Sequence, residues 1–482
     1  MRVGKEKYRT DGYITVYFAL ILGLIIVLTV TVIEGARRQT IRFETECVMD
    51  AALNSIFAEY SRAMLDRYGL LFIDDSYGET GNEDNTKNHF LHYMNMNFDK
   101  GKANIMFNDI TSIRVDNADL SEISFASDGD GEVLAYQIVQ YMKTETGIAL
   151  LDTSMYNPFE TDYEEKFNDY KAQREALDEQ IAQYVEDYNK TLPEGEEPVS
   201  ISNPADAVEK EPNDGVLYYA FGDRQLSGKY VNTAEYISNR GYVNGYGLYD
   251  SQESPFGKAE EILYMTYLFD KLGYESKEID NSALDYQLEY LLEGKETDIS
   301  NLRNVVRKIF CIRYVTNMAY LLTDGEKKEE AKVIAAIAST LIGSPEITEA
   351  VQYSILLAWG YAESAKDLRI LFDGHKLSPI KTSADWNTTL AELLYFKSNL
   401  SNYKIPSNGI LDYKSYLIGF LVFASDKNIN MRLMDVMEMD IRLTAGNSKF
   451  RMDNQIYQMS VKANVSSSFG YGCSIKRNYS YR

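Results

Sequence analysis

Cysteine, tryptophan, histidine and proline are all scarce in this chain. Its 482 residues hold three Cys, two Trp, three His and nine Pro. Cys47, Cys311 and Cys473 lie far apart, and an odd count without C-x-x-C is no disulfide framework, although one pair could form outside a cell. There is no G-x-S-x-G, H-E-x-x-H, P-loop or kinase signature, so the usual marks of hydrolases, zinc proteases and phosphoryl transfer are missing. His89 and His92, three apart on a helix, could face one metal. With no Cys nearby and only an acidic loop beside them, they read as surface histidines, and His375 reads as a turn residue. Paired carboxylates can hydrolyse glycosides, but clefts for sugars are usually lined with Trp, and Trp359 and Trp386 are all there is. The expectation is a non-enzymatic protein with no cofactor and no metal. The formal net charge of −23 argues against nucleic-acid partners.

A long apolar run occurs once. Tyr13 to Ile33 contains no charged residue. As a helix it reaches roughly 30 Å, the thickness of a bilayer's hydrocarbon core. It is too long for a secretory h-region and lacks an A-x-A-like end, so it reads as a retained membrane helix with the lipid bilayer as partner. Tyr416 to Ala424 and Val333 to Ile342 are too short to span. Arg2, Lys5, Lys7 and Arg9 precede the run and Arg37, Arg38 and Arg42 follow it, a near balance for the positive-inside rule. The last three fall where headgroup phosphates lie and read as interface anchors. Seven of the 49 Lys/Arg and three of the 72 Asp/Glu lie at or before Arg42, so the rest carries 42 against 69, a net of −27. Such a body is expected to stay off anionic lipid. The expectation is a single-pass cell-membrane protein with its N-terminus inside and its bulk on the extracytoplasmic side.

The flanks of that run carry a second signal: a short basic leader, Gly12, Tyr13-Ile14-Thr15-Val16-Tyr17-Phe18-Ala19-Leu20, and a close at Ile33-Glu34-Gly35-Ala36-Arg37. This resembles the anchor of the TadE/TadG-like pseudopilins of tight-adherence (Tad, or Flp) pilus systems. The resemblance implies a prepilin-peptidase site at Gly12–Tyr13 and makes Tyr17 the fifth mature residue. Pilin-type segments usually carry Glu there, to dock into a growing filament, and Tyr17 departs from that pattern. Gly12, Tyr13, Tyr17, Glu34 and Arg37 are thus the candidate processing and anchor residues.

Beyond the anchor the pattern predicts a mainly α, α+β protein. Ile41, Val48, Ala52, Ile56, Tyr60 and Met64 recur at helical spacing up to Gly69, so membrane helix and stalk read as one helix of about 55 residues. His89 to Phe98 reads as a short helix. Ile113 to Phe125 reads as strands with a turn at Asp116-Asn117. Asp128-Gly129-Asp130-Gly131-Glu132 lacks the later EF-hand positions and reads as a turn into a helix over Glu132–Lys143. Thr161 to Lys190 reads as a polar helix with a coiled-coil-like seam through Tyr163, Phe167, Tyr170, Leu177, Ile181, Tyr184 and Tyr188. Leu192 to Gly215 holds four prolines and reads as linker. Tyr230 to Tyr249, rich in Tyr, Asn and Gly, reads as an irregular loop and the best candidate for a recognition surface.

From Ala259 to Ser425 helical periodicity dominates, with segments over Glu260–Leu272, Tyr286–Leu292, Leu302–Leu322, Glu329–Leu341, Ile347–Asp367 and Ser383–Leu394. Met431 to Arg442 reads as a helix with Arg432, Asp435 and Asp440 exposed, and the many acidic pairs read as solvated faces. Tyr457 to Val465 alternates strictly and reads as a half-buried strand; Gly470-Tyr471-Gly472 turns into a last strand, Cys473 to Tyr481. The strands of Ile113–Phe125 should join it in one small antiparallel sheet. The segments are then a leader (1–12), membrane helix (13–33), stalk (34–75), mixed segment (76–150), arm and linker (151–215), helical domain (216–445) and C-terminal β segment (446–482).

Several stretches, among them Tyr290-Leu291-Leu292-Glu293-Gly294-Lys295, Arg313-Tyr314-Val315-Thr316-Asn317 and Trp359-Gly360-Tyr361-Ala362-Glu363-Ser364, resemble an uncharacterised family of membrane-anchored proteins found beside Tad pilus genes in Gram-positive bacteria. The resemblances imply a pseudopilin-like or accessory component of a Tad-type pilus or secretion apparatus. Its implied partners are the membrane proteins of that apparatus and a prepilin peptidase. The competing expectation is a membrane-tethered surface binding or cell-wall-active protein unrelated to pili.

Overall fold

The computed structural model describes residues 11–99, 112–145, 150, 163–191, 198, 215–247, 257–341, 345–467 and 470–481. The basic leader up to Thr10, most of the 192–215 linker and the side chains of the 163–188 seam lie outside the described residues. The chain forms two compact units. The first comprises Met1–Tyr141, Tyr242–Ser254 and Thr444–Arg482; the second comprises Met142–Gly241 and Pro255–Leu443.

The first unit begins with α1 (Asp11–Phe57), 47 residues without proline. Its first half is exposed apart from half-buried Ile21. From Arg37 onward a stripe at helical spacing (Ile41, Thr45, Val48, Ala52, Ile56) is buried. The helix does not run on to Tyr68 as its periodicity suggests. It stops at Phe57 because three side chains converge on Glu59: the hydroxyls of Tyr77 (2.9 Å) and Tyr93 (2.6 Å) and the ring of His89 (3.2 Å). The Ser61 amide then donates to Phe72 (2.8 Å), and the Ser61 hydroxyl caps α2 (Arg62–Tyr68). Gly69 ends α2 in the left-handed region at φ 73°, where a Cβ would lie 2.5 Å from the Tyr141 ring.

Then come β1 (Ile73–Asp74), α3 (Glu83–Phe98), β2 (Ile113–Phe125), α4 (Asp128–Thr144), β3 (Gln455–Ser467) and β4 (Gly472–Ser480). All strand pairs are antiparallel. β3 is central, with β2 on one edge and β1 and β4 along the other. The N-terminal and C-terminal strands thus share one sheet, as their single apolar faces require. β2 is one strand, with no turn at Asp116-Asn117. The ladder shifts register between Val115 and Asn117, and Asp116 is the extra residue of a bulge, its carboxylate accepting from Ser466 (2.7 Å). α1 and α3 cover the sheet, with Met49, Leu53, Phe90 and Met94 packed against Met459, Val461 and Val465. Gly129–Gly131 take left-handed conformations (φ 57° to 89°), forming the turn into α4.

The second unit holds nine described α-helices. They are α5 (Tyr163–Thr191), α6 (Val216–Phe221), α7 (Lys258–Lys271), α8 (Gln287–Glu293), α9 (Asp298–Thr323), α10 (Gly325–Leu341), α11 (Thr348–Phe372), α12 (Tyr413–Phe423) and α13 (Asp426–Arg442). Caps follow the sequence: Thr297 accepts from the Ser300 amide to start α9, and Asp412 accepts from that of Ser415 (2.9 Å) to start α12. α10 packs through small residues, Ala331, Ala335 and Ser339, and leaves Val333, Ile334, Ile337 and Leu341 exposed.

Two expectations fail in this unit. Ser383–Leu394 is not an α-helix: the amides of Asn387 and Thr388 are spent on the Glu363 carboxylate (2.9 and 2.7 Å), so the backbone stays open until a 3-10 stretch, Leu390–Asn399. Asp435 and Asp440 are not exposed. α13 presents Met, Leu, Val and Ile on all sides, is buried all round, and carries its acids inside with it.

Candidate functional site

Gly12, Tyr13 and Tyr17 lie on the first two turns of α1, open on all sides; nothing approaches within 4 Å of a Cβ at Gly12. Tyr13 is 78% and Tyr17 62% exposed. Glu34 and Arg37 sit roughly 30 Å further along the same helix, so the structure keeps the two halves of the motif apart. At the far half, Arg37 holds Glu34 through Nε and Nη2 (2.8 and 3.0 Å), and Arg38 adds a bond at 2.8 Å. Hydrogen bonding from Arg37, then Arg38, draws the Glu34 carboxyl down to about 2.

Arg37 is not the free interface anchor expected. It is buried, and its Nη1 donates to Ser467 at the end of β3 (3.1 Å). Arg38 stays exposed, its guanidinium over the Tyr471 ring at 5.2 Å, and exposed Arg42 pairs with Glu46 at 3.3 Å. The I-E-x-x-R close is therefore a clasp between the anchor helix and the sheet.

The Tyr/Asn/Gly-rich loop divides. Its later part, Tyr242–Gly247, is bound into the first unit. The Gly245 amide donates to Asp128 (2.7 Å), Tyr242 to Asp130 (3.1 Å) and Tyr246 to Glu83 (2.7 Å). A Cβ on Gly245 would lie 2.3 Å from both Asp128 Oδ2 and the Ile123 carbonyl, so glycine is needed for close approach rather than freedom. Asp128 also accepts from the Phe125 amide (3.0 Å), and burial raises its pKa. It is a strut of the loop. His89 stacks on Tyr77 (ring centroids 4.0 Å apart), whereas His92 lines a hollow of about 530 Å³ with Glu44, Asn95, Phe98 and Arg114.

Most described acids of the second unit are solvated as expected, Glu329-Glu330 among them, but a buried set is not: Glu289, Asp298, Glu363, Asp367, Asp385, Asp435, Glu438 and Asp440. Asp367 accepts from Arg313 (2.9 Å), Lys381 (2.6 Å) and Asn317 (3.0 Å); Lys381 also pairs with Glu363. Burial opposes the Asp367 carboxylate, but Arg313 and Lys381 outweigh it and hold its pKa low. Both Trp residues pack here, edge to face at 5.8 Å, each donating to the Thr388 carbonyl, with Lys327 over both rings. Glu363 and Asp367 are fully buried and tie α9 and α11 to the segment 378–388.

Likewise Asp435 accepts from the Ser238 amide (2.9 Å) and Tyr290 (2.8 Å), and Glu438 from Arg240 (2.7 Å), fixing the loop before Gly241. Burial pushes Asp435 up to about 6. It pushes Glu289, which accepts from Tyr413 (2.5 Å) and the Glu275 amide (3.0 Å), up to about 7. Sequence reasoning missed these acids; their signal was position inside segments apolar on every side.

Residues 194–467, more than half the chain, match a family of unknown function, DUF5702. No curated protein and no solved structure matches the chain. The matched stretch contains the Trp–carboxylate core, the loop and β3, and begins after the anchor helix. The chain belongs to the DUF5702 family, whose function is unknown.

Proposed function

We propose that this chain is a non-enzymatic, single-pass membrane protein with its folded body on the extracytoplasmic side, acting as a pseudopilin-like or accessory component of a Tad-type pilus or secretion apparatus. The observation that carries this reading is α1. One unbroken helix has a bare apolar half, long and apolar enough to cross a membrane, and an outer half packed on an antiparallel sheet. That is the plan of a pilin: anchor and spine of the head in one helix. The clasp at Glu34 and Arg37 supports it, because the motif that closes the anchor also ties the anchor to the head.

The decisive experiment is intact-mass analysis of protein extracted from membranes. The expected mature N-terminus is Tyr13, with Gly12→Leu keeping the leader attached. Met1 or Arg2 on the wild-type protein overturns pilin-type processing. Sidedness is read by labelling intact cells at an engineered Asp187→Cys, 60% exposed, in a Cys47→Ser background. Labelling only after lysis overturns the extracytoplasmic placement.

A second reading, a membrane-tethered binding protein unrelated to pili, is favoured by Tyr17 in place of a docking Glu and by the exposed apolar row of α10. It leads if the leader stays on.

A further inference from the structure

Among the described residues, the first head contact of α1 comes one turn after its last apolar residue. Ile33 is 60% exposed and Arg37 is 8% exposed, with no linker between them. Four or five residues of helix rise about 6 to 8 Å, and the headgroup layer on one side of a bilayer is roughly 5 to 7 Å deep. Side chains on a helix lean toward its N-terminus, so Arg37 and Arg38 reach back toward the membrane when they touch Ser467 and Tyr471.

The direction of the sheet follows from further contacts up the helix. Arg38 faces Tyr471, Asp50 pairs with Arg477 (3.0 Å), and the Phe57 carbonyl accepts from Tyr481 (2.7 Å). β4 therefore climbs beside α1, and among the described residues of this edge Gly470–Gly472 lie lowest. The register Ile113↔Ser467 brings the start of β2 to the same level. This end also differs in charge from a chain of net −23. Among the described residues 112–114, 466–467 and 470–472 the one charge is exposed Arg114; the nearby acids are Asp116, bonded to Ser466, and Glu44 and Asp99 in the hollow beside Arg114, and Glu34 is matched by two arginines.

We propose that this end of the sheet, Tyr471 at the foot of β4 and Arg114 at the start of β2, rests in the lipid headgroup layer that α1 has just crossed. The proposal rests on α1 spanning the membrane, and its partner is the phosphate-bearing surface of the same bilayer. Arg114 supplies a cation for phosphate and Tyr471 a ring with a polar tip, the type of side chain that settles at such interfaces.

The test uses the full chain, freed of its three cysteines, in vesicles of phosphatidylcholine and phosphatidylglycerol. Single cysteines carry an environment-sensitive fluorophore at Arg114→Cys, Tyr471→Cys, Asn478→Cys and Gly23→Cys. Asn478 lies seven strand residues beyond Tyr471, about 23 Å higher. Lipids bearing a nitroxide on the headgroup should remove most of the emission at positions 114 and 471 and leave 478 unchanged. Lipids bearing it on the acyl chain should quench position 23. Quenching at 23 with none at 114 and 471 overturns the proposal and leaves the membrane span standing. No quenching at 23 overturns both. Two low probes on different strands guard against one substitution disturbing the Arg38 contact.

Discussion

At the scale of the residue, the second unit is governed by carboxylates taken out of water. Asp367 is balanced by two buried cations, so Asp367→Asn leaves Arg313 without its carboxylate and Lys381 with Glu363 alone. Removing one member of such a network costs about 3 to 5 kcal/mol. The expected outcome is a large fall in the urea midpoint, followed by the emission of Trp359 and Trp386, which pack on this cluster. Glu289 behaves in the opposite sense. Its folded pKa of about 7 lies above the usual carboxyl value, so the folded state holds the proton more tightly than the unfolded chain. Its contribution is present below the unfolded pKa and is lost as pH rises toward 7, about 2 to 3 kcal/mol between pH 5 and 7. Glu289→Gln, which can still accept from Tyr413, should reduce the change in urea midpoint over that interval, the remainder coming from Asp435 and Asp75, which burial pushes up to about 6 and about 7. An unchanged slope refutes the assignment. Asp367, with its lowered pKa, titrates below this window and does not mask the effect.

At the scale of the element, periodicity located most helices and both C-terminal strands. The failures share a cause: a side chain from elsewhere claimed the backbone. Ser383–Leu394 has helical spacing, but Glu363 takes two of its amides. Tyr60 and Met64 continue the α1 stripe, but Glu59 gathers Tyr77, His89 and Tyr93 and turns the chain aside. Asp116-Asn117 resembles a turn locally, yet long pairing with β3 absorbs it as a bulge. Such long-range partners leave no trace within a short window of sequence. The same holds at the candidate site: the closing Glu34 and Arg37 were legible as a motif, but their grip on Ser467, 430 residues away, was not. The Gly245 loop gives a sharp test at this scale. Gly245→Ala pushes a methyl group into a backbone carbonyl that cannot step aside, a cost of about 1 to 3 kcal/mol. The expected result is a lower melting temperature for the first unit and faster proteolysis within 242–247, with Gly228→Ala, which meets nothing, as the silent control.

At the scale of the whole molecule, the apolar half of α1 contributes nothing to the folded body. Its large side chains between Tyr13 and Ile33, apart from half-buried Ile21, are 50 to 78% exposed. A chain beginning at Glu34 should therefore keep its helical circular dichroism and move from the membrane fraction to the soluble fraction. Aggregation with loss of helix would show that the span is part of the fold. The acidic composition fits this division: one uncharged run is long and apolar enough to cross a membrane, and the charge lies in the remainder.

The continuity of α1 has a mechanical consequence. A span joined to its head by a flexible tether would let the head ignore the bilayer; a single rod does not. Membrane helices tilt by about 20° on average to fit the local hydrocarbon thickness. The 24 residues from Glu34 to Phe57 form an arm of about 36 Å, so that tilt swings its tip sideways by about 12 Å. A thicker or thinner membrane is thereby converted into a different angle of presentation for the sheet, and a pull on the sheet is delivered, undiminished by slack, to the lipid.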